Sequence, residues 1–148
     1  MGEWGSALDF VITDENRTYA LPGSKKEDYY CYNKPVLAPA DGYVYQISNI
    51  TKDNEIGDVN TNKNWGNTII LNHLNGLFTQ ISHLKQDSFK VQVGDYVTKG
   101  TILASCGNSG RSPEPHLHFQ VQLTPEIGAK HIAIHSGTIL KKPMESPS

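Results

Sequence analysis

Short apolar runs alternate with polar punctuation rich in glycine and proline along this 148-residue chain. ALDFVI (7–12) predicts a first strand, and a polar stretch with proline and glycine follows to about residue 30. KPVLAPADGYVYQI (34–47) sets a Pro-Ala-Asp-Gly turn between two apolar runs and predicts a hairpin. SNITKDNEIGDVNTNKNWG (48–66) is polar and aperiodic, and predicts a long surface loop bordering a groove. NTIILNHL (67–74) and LFTQISHL (77–84) flank an Asn-Gly turn and form the clearest hairpin signal. FKVQVGDYVTKGTILASCG (89–107) predicts two short strands around turns at Gly94-Asp95 and Lys99-Gly100. The turn NSGRSPEP then leads into a last strand, HLHFQVQL (116–123), and the pattern loosens from Thr124 onward. No segment has a sustained helical period. The expectation is all-β: short antiparallel strands in a compact sandwich or partly closed barrel. One β domain would cover 1–135, and a polar tail, 136–148, would fray.

Composition narrows the function classes. A formal net charge of -2 gives no basic surface for nucleic acid or for an anionic membrane. No run approaches the ~18 apolar residues of a membrane span. The opening MGEWGSALDF has neither the basic start nor the apolar run of a signal peptide, and reads like the middle of a folded element. A truncated N-terminus is therefore the expectation. Cys31 and Cys106 allow one bridge, and two buried free thiols fit equally well, so their redox state stays open.

Histidine spacing changes the picture most. In a strand, residues i and i+2 share a face, so His116 and His118 point one way and Leu117 and Phe119 the other. Two imidazoles on one face either bind a metal or divide binding from proton transfer; a pair of solvated surface histidines is the plain alternative. His83 ends a strand in ISHL, and Asp9 is an acid within an apolar strand start. Buried acids are rare unless paired or bound to metal, and an edge or turn aspartate is the alternative for Asp9.

Taken together, ALDF, GNTIILNHLNGLFTQISHL and VQVGDYVTKGTILASCGNSGRSPEPHLHFQVQ resemble the lysostaphin/LytM-type zinc endopeptidases. That family's pattern is His-x-Gly-x-Asp near the start, a strand-end His-Leu, and a late His-x-His strand. The resemblance covers roughly residues 7–123 and implies a barrel-sandwich hybrid fold, making 1–135 a peptidase-like domain. It also implies a metalloendopeptidase that cleaves peptide cross-links of bacterial peptidoglycan with Zn2+. Its substrates would be stem or cross-bridge peptides, and its location the cell envelope or the exterior. By the same resemblance Asp9 and His118 are metal ligands, while His83 and His116 are catalytic, acting on the metal-bound water and the oxyanion. His73 matches a position often occupied by histidine without a catalytic role. Asn108, Ser109 and Gly110 match the turn that shapes the groove wall. His131 and His135 match nothing and read as surface residues.

The chain departs from that pattern at the first ligand. Residues 1–8, MGEWGSAL, contain no histidine. Three explanations stand: a histidine upstream of Met1, Glu3 as a substitute oxygen ligand, or a degenerate, non-catalytic domain. In the last case the domain would bind cell-wall peptide or regulate a partner hydrolase. Gln120 is a second departure, standing where the family often has glutamate; it implies altered hydrogen bonding around the site. A biotinyl- or lipoyl-type carrier also resembles VLAPADGYV with VQVGDYVTKGTILA, but the chain lacks the lysine-bearing hairpin tip such a carrier needs.

Overall fold

The structure is a computed structural model, described here for residues 7–132. The described residues form eight strands: β1 (Ala7–Phe10), β2 (Pro35–Leu37), β3 (Gly42–Ser48), β4 (Asn67–Asn72), β5 (Phe78–Leu84), β6 (Tyr96–Val97), β7 (Ile102–Ser105) and β8 (Leu117–Gln122). A 3-10 turn at Lys26–Asp28 interrupts the polar stretch after β1. The strands form a six-stranded sheet, ordered β1-β8-β5-β4-β3-β6, and a two-stranded sheet, β2-β7. All pairings are antiparallel. No helix among the described residues is long and apolar enough to cross a membrane.

The antiparallel sandwich matches the expectation, but the partly closed barrel does not. β1 and β6 stand at opposite ends of the six-stranded sheet without pairing, so no sheet among the described residues closes on itself. With only two paired residues, β6 is too short to bridge a seam. The hairpin expected over 34–47 is also absent. β2 pairs with β7, whereas β3 pairs with β4 and β6, so the Pro-Ala-Asp-Gly stretch carries the chain from one sheet to the other. The hairpin across Asn75-Gly76 is present as β4–β5.

Val36, Val44, Ile69, Leu71, Ile81, Leu84, Leu103, Phe119 and Val121 bury one face of the large sheet against the small one. Leu117 is half-buried and packs on the edge of this core. The opposite face is polar yet equally dry, because Thr68, Gln80, Ser82, Gln120 and Gln122 are fully buried there. Such groups are tolerated only when hydrogen-bonded. Segment 124–132 supplies the partners: Gly128 N donates to Gln80 Oε1 at 2.6 Å, Gln120 Nε2 to Ala129 O at 3.0 Å, and Gln122 Nε2 to Glu126 O at 2.7 Å. The loosely patterned stretch after Thr124 thus seals the polar face on which His118 stands.

Candidate functional site

Register brings the histidines together. His118 on β8 lies opposite Asp9 on the edge strand β1 and opposite Ser82 on β5, which puts His83 at the neighbouring strand end. The His83 and His116 ring centroids are 4.7 Å apart, and those of His83 and His118 are 6.1 Å apart. Asp9 Oδ1 lies 2.9 Å from His118 Nδ1 and 3.9 Å from His116 Nε2. All four expected site residues therefore converge. Asp9 is exposed rather than buried, so the scarcity of buried acids does not explain it.

Each imidazole is held by identifiable partners. His83 ends β5 with φ of +64°, a left-handed conformation that turns the chain out of the strand. Its Nδ1–H donates to Ser109 O at 2.7 Å, because a carbonyl can only accept. Burial, followed by the neighbouring His116, lowers the His83 pKa to about 4, against an ordinary 6.5. It is a neutral imidazole at pH 7. His116 precedes β8, and its Nδ1–H faces Glu114 O at 3.0 Å with Ser112 Oγ also at 3.0 Å. At His118, Nε2–H donates to Gln120 Oε1 at 2.8 Å. The Gln120 amide can turn only this way, because its Nε2 faces the carbonyl of Ala129. His118 Nδ1 then meets Asp9 Oδ1 directly, so both of its ring nitrogens are engaged.

Three neighbours carry this arrangement, and two of them, Trp65 and Ser112, did not stand out in the sequence. Trp65 packs its ring on His118 at 4.9 Å between centroids, and its carbonyl accepts from His83 N at 2.9 Å. A lone tryptophan just before a strand, in an otherwise polar loop, was the available signal. Ser112 is fully buried and donates towards Asn108 Oδ1 at 2.7 Å. Ser109, expected only to shape a wall, holds β4 and β5 together: its Oγ accepts from Asn67 N at 3.0 Å and donates to Leu84 O at 2.7 Å. His73 lies away from the cluster, bonded to Asp41 O at 2.7 Å and Thr79 Oγ1 at 3.1 Å. His131 is half-buried beside Gln122 rather than a free surface residue. His135 and Glu3 lie outside the described residues.

The donor set does not fit zinc. Ligands about 2.0–2.1 Å from a tetrahedral zinc sit roughly 3.3 Å from one another. Asp9 Oδ1 and His118 Nδ1 instead lie 2.9 Å apart. The His-x-Gly-x-Asp spacing puts the remaining ligand four residues before Asp9, where this chain has Gly5 and hence no side-chain donor. Among the described residues, no three His, Cys, Asp or Glu side chains form a group that could hold a metal ion. This overturns the expectation of a Zn2+ cofactor and, with it, the reading of the chain as an active zinc metalloendopeptidase. A catalytic zinc lowers the pKa of its bound water when three protein ligands hold it and one position stays open, and residues 1–8 hold no histidine to supply the first ligand.

The comparisons agree with the fold and the motif pattern. Residues 27–134 match the family described as Peptidase family M23. Lysostaphin of Staphylococcus simulans is 43% identical over 61 residues, which are 40% of this chain and 12% of that protein. Cell division protein DipM of Caulobacter vibrioides is 28% identical over 108 residues, 73% of this chain and 16% of that protein. The chain thus spans about a sixth or less of the curated relatives it matches. Among solved structures, the catalytic domain of lysostaphin from Staphylococcus simulans superposes with a TM-score of 0.53 at 26% identity, covering 83% of this chain and 86% of that one. With its strand-end His83, its His116-x-His118 strand and a family match over most of its length, this chain belongs to Peptidase family M23.

Proposed function

We propose that this chain is a non-catalytic member of the family, a module of residues 1–135 that binds peptidoglycan stem or cross-bridge peptide without cutting it. One observation carries the reading: both ring nitrogens of His118 face protein partners, Gln120 and Asp9, and the Asp9 contact at 2.9 Å is closer than two ligands of one zinc stand. His83 and His116 each fix Nδ1–H on a backbone carbonyl, leaving Nε2 as an acceptor for a peptide N–H. The Trp65 ring beside His118 adds an apolar surface for the flat peptide groups of a glycine-rich chain. Asp9 is exposed and offers a carboxylate to a free amine of the wall peptide. Such a ligand implies a location in the cell envelope or outside the cell.

The test is an NMR titration with a synthetic stem tetrapeptide and with pentaglycine, each recovered afterwards for mass spectrometry. The reading predicts saturable shifts at His83, His116 and Trp65 with one of the two peptides, recovered intact. Hydrolysed peptide, or no shift with either, would overturn it.

A further inference from the structure

We infer that Cys31 and Cys106 form a redox site, a dithiol that closes to a disulfide by exchange with an external disulfide such as oxidised glutathione. The two cysteines lie 75 positions apart in sequence but belong to one core cluster, and both are free thiols in this structure. The backbone sets them side by side. Asn33 N donates to Cys106 O at 2.8 Å, and Cys106 N donates to Lys34 O at 2.8 Å. Lys34 N in turn donates to Cys31 O at 3.1 Å, closing a turn that folds Cys31 back towards Cys106. The Cys106 sulfur has a weak polar contact, with Gly107 O at 4.0 Å.

The chemistry is asymmetric in a useful way. Each thiol is the largest influence on the ionisation of the other, with Cys31 moved down and Cys106 moved up. Cys31 is also the less buried, 7% exposed against 2%. Cys31 is therefore the attacking thiolate. Its sulfur bonds to one sulfur of the external disulfide, and the other leaves as a thiolate, taking up the proton that Cys106 gives up. Cys106 then attacks the Cys31 sulfur of the mixed disulfide and expels the second external thiol. Two protein thiols and one external disulfide become one protein disulfide and two external thiols.

The bridge would act on the site already described, although the inference does not depend on its function. Cys106 leads into the turn whose Ser109 and Ser112 hold His83 and His116. Bridging would pin the 31–34 turn to the base of that turn.

The experiment refolds the denatured chain through a glutathione redox buffer, so that burial cannot hide the thiols. Acid quenching, alkylation and mass mapping then give the thiol–disulfide equilibrium constant, measured in buffer and again in denaturant. A site built by the fold predicts an intramolecular Cys31–Cys106 bridge whose constant is at least tenfold higher in the folded chain. Cys31→Ser and Cys106→Ser variants should retain one alkylated thiol each. If either fails to fold, the wild-type constants decide alone. A constant no higher when folded than when unfolded, or cross-linking only between chains, would overturn the inference.

Discussion

The histidine cluster has two halves built differently. His83 and His116 rest on the interior strand β5 and on the 108–116 turn, and each bond that fixes them is anchored again behind. Ser109, whose carbonyl holds His83, is tied through its hydroxyl to β4 and β5. Asn67 beneath it is fully buried and bonds Thr51 N at 2.8 Å, Thr51 O at 2.7 Å and Leu84 O at 3.1 Å. The other half, His118 with Asp9, depends on β1, a four-residue edge strand whose acid is exposed. The hydrogen-bonded wall keeps its geometry because the fold itself needs those bonds. The other half has no such support behind it, since Asp9 reaches His118 from the exposed edge strand alone.

That contrast can be broken experimentally. The largest effect should come from Asn67→Ala, which strands the Thr51 N–H and carbonyl, leaves Leu84 O to Ser109 Oγ, and should cost about 3–4 kcal/mol in urea unfolding. A loss below about 1 kcal/mol would mean that the wall is not what anchors the site. Acid should act through the same half. His83 has a folded pKa lowered to about 4, so the unfolded chain binds its proton first, near the ordinary 6.5. The contribution is fully present above about pH 6.5, and up to about 3 kcal/mol is lost as pH falls towards about 4. Urea melts across that window should flatten in His83→Gln, and an unchanged slope would exclude His83 as the source. Ser112→Ala removes a buried hydroxyl between Asn108 and His116 and should cost about 1–2 kcal/mol. Asp9→Ala, on the exposed edge, should cost under about 1 kcal/mol. A loss as large as that of Asn67→Ala would erase the distinction between the halves.

What was legible in the sequence follows the same division. The β4–β5 hairpin and the shared face of His116 and His118 could be read because alternation and an Asn-Gly turn are local signals. The β2–β7 pairing was not, since it joins residues more than 60 positions apart and nothing local distinguishes a sheet-changing turn from a hairpin. An open sheet and a partly closed barrel share one pattern of alternation, so the barrel expectation failed on strand order alone. The four site residues were found through the family's motifs. Gln120 was visible as a departure, yet its fixing of the His118 tautomer depends on Ala129, contributed by a stretch with no regular pattern. Trp65 joined the site only once the loop before β4 had folded against His118.

Asp9 and His118 face each other across 2.9 Å instead of sharing a metal. Zinc titration by competition with a chromophoric chelator at pH 7 tests it most directly, with the His118→Ala variant alongside. No stoichiometric high-affinity zinc is expected, with the same residual binding in both proteins. One zinc bound per chain, lost in His118→Ala, would contradict it.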